Sequence, residues 1–306
     1  MQNKRQNENV IYEIKENMGV PCGRPERRTN PMSECKVYSI CNQKGGVCKT
    51  SVSVSLSVAL AMQGYRVLLI DSDPQASATS SLLKENPDEL DFTLADVISA
   101  YINDERVPYY EGVLEHEEGI EFMPCNIELS GVENTLMNVM SREKILKRYV
   151  DQQRDYYDFI IIDCMPSLGM MTINALSAAD SVIIPTQANY LSSKGLNLLL
   201  QSVNKVKRFI NPDLQIAGVL LTMVDSRTNN AKMIEASLRE GLGQKIRVFQ
   251  TTIPFSVRAA ECPNEGISIF KHDPGGKVAE AYWDLTGEVM SLGREEKDRS
   301  RDYGFR

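Results

Sequence analysis

A lysine-flanked glycine turn directly after a short apolar stretch constrains this chain more than any other feature. Residues 37–41 (VYSIC) are typical of a buried strand, and residues 44–50 read KGGVCKT. In a phosphate-binding loop, the N–H groups of such a turn and the start of the next helix converge on one anion. The lysine of such a loop reaches the β- and γ-phosphates and the hydroxyl ligates Mg²⁺. We therefore assign these roles to Lys49 and Thr50.

The loop departs from the ordinary pattern G-x-x-x-x-G-K-[ST] at both glycine positions, where Gln43 and Cys48 stand. It also carries an additional lysine, Lys44. If the backbone at Cys48 has a positive φ, the side chain costs about 1 kcal/mol or more; in an α-like conformation it is tolerated. Two lysines and a helix N-terminus nearby predict a lowered pKa for this thiol and hence sensitivity to oxidation.

Four segments in order resemble the ParA/MinD superfamily of ATPases. The K-G-G-x-x-K-[ST] loop is similar to its deviant Walker A motif, and residues 66–75 (RVLLIDSDPQ) are similar to its second strand and D-x-D-P-Q segment. Residues 158–169 resemble the Walker B strand, and residues 253–261 resemble the late nucleotide-base loop, although Phe255 replaces the usual Arg. The resemblance covers residues 36 to 292 and is strongest to the chromosomal, Soj-like branch that partitions DNA.

The sequence pattern and the resemblance imply the same fold class: an α/β, three-layer, doubly wound and mostly parallel sheet of the P-loop NTPase type. Apolar runs such as residues 159–162 indicate strands covered on both faces. We predict strands at 36–41, 66–71, 120–124, 158–163, 181–185, 216–222 and 246–250. We predict helices near 49–63, 75–84, 93–99, 141–153, 171–178, 194–209, 229–240 and 277–292. One ATPase domain, 36–292, would follow a flexible extension, 1–35, and precede a charged tail, 293–306.

The segment 51–58 (SVSVSLSV) alternates with a period of two, which by itself favours a strand. A phosphate-binding loop requires a helix immediately after Lys49, so we predict a helix there instead.

Composition favours a cytoplasmic protein. Seven cysteines occur without C-x-x-C spacing, as expected in a reducing compartment. The N-terminal residues lead to no apolar core of signal-peptide length, and no apolar run approaches the length of a membrane span, so we expect no membrane association. The net charge is −7, yet residues 201–260 carry nine basic and four acidic side chains. This basic region is either a nucleic-acid-binding face or a set of ordinary solvated helix faces.

The family resemblance implies roles for individual residues. Lys44 would reach across a two-fold interface to the phosphates bound by a second subunit, and Asp73 would orient the attacking water. Asp71 and Asp163 would support Mg²⁺ together with Thr50, although aspartates before Pro74 are also common turn formers. The predicted nucleotide contacts are Lys44, Gly45, Gly46, Val47, Cys48, Lys49, Thr50 and Ser51 of the loop, with Met223 and Pro254 near the base.

The function implied by the resemblance is DNA partitioning, with ATP and Mg²⁺ as cofactors. ATP would close a homodimer that binds DNA without sequence preference on the nucleoid, and a ParB-like protein would stimulate hydrolysis. The candidate DNA-binding residues are Arg227, Lys232, Arg247 and Arg258.

Two other functions remain open at this stage. A MinD-like, membrane-associated division-site regulator requires an amphipathic C-terminal helix, and the mixed charges after Leu292 offer only Tyr303 and Phe305 as apolar anchors. An iron–sulfur reductase would place Cys125 and Cys164 at a cluster between subunits, but their neighbours lack the glycines of that branch.

Overall fold

The computed structural model describes residues 34–187, 193–225, 233, 236, 239–240 and 246–303, with side chains in the last range described up to 292. The predicted extension 1–35 lies almost entirely outside the described residues, as do most of the predicted helix 229–240 and two predicted site residues, Arg227 and Lys232.

Eight strands form one sheet in the order β3-β4-β2-β5-β1-β6-β7-β8. They are β1 (Lys36–Ile40), β2 (Val67–Ser72), β3 (Leu114–Glu115), β4 (Glu121–Met123), β5 (Phe159–Cys164), β6 (Ser181–Gln187), β7 (Gln215–Val224) and β8 (Val248–Pro254). All neighbouring strands are parallel except β3 and β4. The predicted mostly parallel sheet is therefore confirmed.

Helices cover both faces of this sheet. They are α1 (Lys49–Met62), α2 (Ser77–Leu82), α3 (Leu94–Ile102), α4 (Leu129–Leu136), α5 (Ile145–Gln153), α6 (Met170–Ala178), α7 (Ser193–Phe209), α8 (Val257–Glu265), α9 (Ile269–His272) and α10 (Lys277–Tyr303). Alternate strand residues enter two separate cores: Ile160 and Ile162 pack with α3, α5 and α6, whereas Ile161 packs with α1 and α10. Two cores on either side of one sheet confirm the three-layer architecture.

Helix α1 confirms the prediction made against the period-two pattern of residues 51–58. Its residues 52–60 are all buried, so no polar stripe marks a solvent face over this stretch. The Ser53 hydroxyl donates to the Lys49 carbonyl at 3.0 Å, and the Ser57 hydroxyl donates to the Ser53 carbonyl at 2.7 Å. Serines are tolerated inside this buried helix because their hydroxyls bond to the carbonyls of the preceding turn.

Several elements differ from the predicted ones. Helices α4, α8 and α9 and the two-residue strand β3 were not predicted, and α10 continues to Tyr303 rather than ending at 292. In α8 the sequence signal for a helix is weak because Pro263 lies inside it. Among the described residues, no helix has the length and apolar character needed to cross a membrane.

Candidate functional site

The predicted site residues converge at the carboxyl-terminal ends of the parallel strands. Strand β5 lies between β1 and β2, and Asp163 is in register with both Ile40 and Asp71. The phosphate-binding loop leaves β1 at this end and leads into α1. Open α/β sheets bind ligands at these strand ends.

Glycine and cysteine give the loop its turn. Gly46 has a φ of 70°, and Cys48 has φ 63° and ψ 29°. The left-handed region suits Gly46, whereas the Cβ of Cys48 makes the same conformation unfavourable. The sequence left open whether Cys48 has a positive φ or an α-like conformation, and the structure has the strained, positive-φ conformation. The loop is held by Asn42, which donates to the Pro185 carbonyl at 2.6 Å, and by Thr222, which donates to the Val47 carbonyl at 3.1 Å.

The predicted lowered pKa of Cys48 is wrong. Burial raises the pKa of this thiol above its ordinary value. Removal from water disfavours the thiolate. The thiol is therefore less reactive than its sequence neighbours suggest.

The two lysines of the loop occupy different environments. Lys49 is buried, and its ammonium donates to the Lys44 carbonyl at 3.3 Å, inside the turn. Lys44 is half-buried, and its ammonium donates to Oε1 of Gln187 at 3.0 Å, at the end of β6. Lys49 thus lies within the loop's own phosphate site, whereas Lys44 lies on its rim.

Thr50 and Asp163 form the candidate magnesium site. The Thr50 hydroxyl donates to Oδ2 of Asp163 at 2.7 Å, and the Ser53 hydroxyl donates to Oδ1 at 2.8 Å. Asp163 is buried, and burial together with the neighbouring charge of Asp71 raises its pKa to about 7. Hard oxygen donors beside buried, mutually repelling carboxylates fit a divalent cation such as Mg²⁺.

Asp71 and Asp73 organise the loop after β2. Both oxygens of Asp71 accept hydrogen bonds: Oδ2 from the N–H and hydroxyl of Thr79, each at 2.8 Å, and Oδ1 from the Asp73 N–H at 3.1 Å. Burial raises the pKa of Asp71 to about 6. Oδ1 of Asp73 accepts from the Gln75 N–H at 2.9 Å. Both aspartates therefore organise the segment after β2, and the predicted roles of Asp71 at Mg²⁺ and of Asp73 in orienting water stay predictions.

The two loops predicted to surround the base also lie at these strand ends. Met223 and Pro254 are at the ends of the neighbouring strands β7 and β8, and both are half-buried. Met223 has a φ of 54°, which turns the chain there. Its sulfur accepts from Nε2 of Gln187 at 2.8 Å, and the same nitrogen donates to the Gly46 carbonyl at 2.6 Å.

The two described candidate DNA-binding residues, Arg247 and Arg258, lie at opposite ends of β8. Arg258 follows β8 and pairs with Asp273 at 2.7 Å while its side chain stays 66% exposed. Arg247 precedes β8 and is also exposed. The seven residues of β8 lie between the two arginines, which places them about 20 Å apart at opposite ends of this strand.

A family model described as an AAA domain matches residues 35–216. The Soj sporulation initiation inhibitor protein of Bacillus subtilis (strain 168) is 43% identical over 267 residues, covering 84% of this chain and 99% of that protein. The chain belongs to the ParA/Soj-like family of partitioning ATPases. Another family member, the chromosome partitioning protein ParA of Myxococcus xanthus, is 39% identical over 87% of this chain and 92% of its own length.

A solved structure of similar fold retains the same arrangement of elements. The structure described as cobyrinic acid a,c-diamide synthase of Mycobacterium smegmatis with bound ADP and magnesium has a TM-score of 0.72 and 34% identity. The match covers 83% of this chain and 93% of that one. The ParA/Soj-like P-loop ATPase fold predicted from the motifs is therefore confirmed.

Sequence reasoning missed three polar residues that hold the site together. Ser53 binds Asp163, Asn42 anchors the start of the loop, and Gln187 joins Lys44, Gly46 and Met223. Gln187 ends a parallel strand, as Asp163 nearly does, so the rule that strand ends carry the site could have identified it. Ser53 has no such signal because it belongs to the alternating serines of α1.

Proposed function

We propose that this protein is an ATP-switched DNA-partitioning ATPase. ATP and Mg²⁺ close a homodimer, the dimer binds DNA without sequence preference, and a ParB-like protein stimulates hydrolysis to release it. The proposal places the protein in the cytoplasm, on the nucleoid. The observation that carries it is the position of Lys44: its ammonium lies on the rim of the loop beside Gln187, while Lys49 occupies the loop itself.

The residues of the loop support ATP as the ligand. Lys49 and the loop N–H groups would neutralise phosphate charge, and the related Mycobacterium smegmatis structure holds ADP and magnesium. Thr50 and Asp163 would hold Mg²⁺, which supplies charge stabilisation for phosphoryl transfer. With the metal bound, the Thr50 hydroxyl oxygen and the Asp163 carboxylate would be its protein ligands.

Hydrolysis requires an oriented water rather than covalent participation of the protein. Asp73 has Oδ1 fixed by the Gln75 N–H, so Oδ2 can accept a hydrogen bond from water in a defined direction. Lys44 of a second subunit would add positive charge at the γ-phosphate, as an arginine finger does.

Sedimentation of the purified protein tests dimer closure. We expect a monomer without nucleotide or with ADP and a dimer with ATP and Mg²⁺. The Lys44→Ala variant should remain monomeric with ATP while keeping most of its ADP affinity, because Lys49 and the loop N–H groups are intact. Dimerisation of Lys44→Ala with ATP would show that Lys44 does not act across an interface.

A further inference from the structure

Two buried thiols meet directly beneath the phosphate-binding loop. The sulfurs of Cys41 and Cys164 are 2.7 Å apart, and both residues are buried. Cys41 is the residue immediately after β1, and Cys164 is the last residue of the adjacent strand β5. The two cysteines continue the parallel register in which Ile40 lies opposite Asp163, and they point into the same core.

This placement fits a disulfide without movement of the strands. Neighbouring strands are about 4.8 Å apart, and the Cα atoms of a disulfide are usually about 4.4 to 6.8 Å apart. The sulfur separation of 2.7 Å exceeds the S–S bond length of about 2.05 Å by only about 0.65 Å. Side-chain rotation alone can therefore close the bond.

Each cysteine is next in sequence to a residue of the candidate nucleotide site. Cys41 precedes Asn42, which fixes the loop by donating to the Pro185 carbonyl and by accepting from the Lys44 N–H at 3.0 Å. Cys164 follows Asp163, the candidate Mg²⁺ ligand. A bond between the two sulfurs would join the start of the loop to the backbone that positions this carboxylate.

We propose that Cys41 and Cys164 are an oxidisable thiol pair whose disulfide restrains the phosphate-binding loop and lowers ATP turnover. Hydrogen peroxide is the oxidant, since a small molecule is needed to reach buried sulfur. One thiol attacks the peroxide and becomes a sulfenic acid as the O–O bond breaks and one water leaves. The second thiol then displaces a second water and the S–S bond forms. Two thiols lose two electrons, and one peroxide gains them.

The consequence for turnover follows from the change that Mg²⁺ requires. Thr50 is hydrogen-bonded to Asp163 in this structure, and both oxygens would have to adjust to the near-octahedral geometry that Mg²⁺ demands. A cross-link at the adjacent residue holds Asp163 and the loop in one relative position. Because a displacement of about 1 Å in catalytic geometry can cost about 100-fold in rate, we expect at least a several-fold loss. Bound nucleotide should slow the oxidation because it orders the loop above the two sulfurs.

The experiment treats the full-length protein, purified with reductant, with hydrogen peroxide and measures ATP turnover and the peptide map without reduction. Wild type should lose turnover as a peptide linking Cys41 to Cys164 appears, and dithiothreitol should restore it. Cys41→Ala and Cys164→Ala should resist inactivation. Cys35→Ala is the matched control, because Cys35 is buried on the same sheet face beside the opposite end of β1, and it should behave as wild type.

The peptide map keeps the test decisive even if an alanine variant folds poorly. Cys48→Gly removes the loop thiol and should still form the 41–164 link. If inactivated wild type lacks that link, Cys41 and Cys164 are not the oxidised pair and the proposal fails. Equal inactivation of Cys41→Ala and wild type would contradict the proposal in the same way. A link that forms without loss of turnover would overturn the coupling to the loop.

Discussion

The hydroxyl of Thr50 lies 2.7 Å from Oδ2 of Asp163 and donates a hydrogen bond to it. In the proposed Mg²⁺-bound state the same two oxygens would lie next to the metal. The pair therefore holds the site in shape before the cation arrives, and a proton on Asp163 competes with the cation.

This competition predicts a pH dependence. Burial raises the pKa of Asp163 to about 7 and that of Asp71 to about 6, so both carboxyls bind protons more tightly in the folded than in the unfolded chain. Their unfavourable contribution to stability is absent below the unfolded pKa of about 4 and grows until the pH passes about 7. We expect the nucleotide-free protein to become less stable to urea between about pH 5 and about pH 8.

The Asp163→Asn variant is the control, and its stability to urea should fall much less with rising pH than that of wild type. Mg²⁺ should oppose this loss of stability, since the cation binds the deprotonated carboxylate and its affinity rises with pH over the same range. Stability that rises from pH 5 to pH 8 without Mg²⁺ would contradict the assignment of Asp163.

Asp73 can be tested by separating its two functions. Asp73→Asn keeps an oxygen that can accept from the Gln75 N–H but removes the negative charge that polarises water. We expect it to bind ATP and dimerise like wild type while phosphate release falls by about 100-fold, the scale of general-base effects. Asp73→Ala should lose the turn as well and show reduced stability. Wild-type hydrolysis by Asp73→Asn would restrict Asp73 to a turn-forming role.

Cys48→Gly should stabilise the loop. Cys48 has a φ of 63°, and a side chain in the left-handed region costs about 1–2 kcal/mol. The greater freedom of glycine in the unfolded chain offsets about 0.4–1 kcal/mol of this gain. We expect a net gain in the free energy of unfolding of between about 0 and about 1.6 kcal/mol and ADP affinity equal to or tighter than wild type. A loss of stability in urea titrations would show that the thiol makes contacts worth more than the strain.

DNA binding should distinguish the two ends of β8. Arg258 follows the carboxyl-terminal end of β8, on the side of the sheet where the phosphate-binding loop lies. Arg247 precedes the amino-terminal end of the same strand. Arg258→Ala should weaken DNA binding uniformly across sequences and reduce the salt slope by about one, as expected for the loss of a phosphate contact. Asp273→Asn should strengthen binding, because it frees Arg258 from its ion pair. Arg247→Ala is the matched charge control. An equal loss of DNA affinity in Arg258→Ala and Arg247→Ala would mean that DNA binding is not confined to the carboxyl-terminal ends of the strands.

The sequence was most informative where physical requirements are local. A phosphate-binding loop needs a helix after Lys49. A helix was therefore the correct prediction for α1, despite the strand-like alternation of its sequence. Parallel strands covered on both faces need continuous apolar runs, which located β5 and the sheet type.

Tertiary packing determined what the sequence did not show. Helix α8 contains Pro263 and still forms, and Cys262 and Ala259 pack it against the core on the α1 side of the sheet. The pKa of Cys48 depends on burial, which neighbours in sequence do not reveal. Gln187 reaches Lys44 across 143 positions of the chain, a distance over which local pattern carries no information.

The most direct test of the account is the affinity for nonspecific duplex DNA without nucleotide, with ADP and with ATP, for wild type and Lys44→Ala over a range of salt. We predict that wild type binds DNA only with ATP and loses affinity steeply as salt rises, and that Lys44→Ala binds in none of the three states. DNA binding that is independent of nucleotide, or binding to anionic lipid vesicles with ATP but not to DNA, would contradict the account.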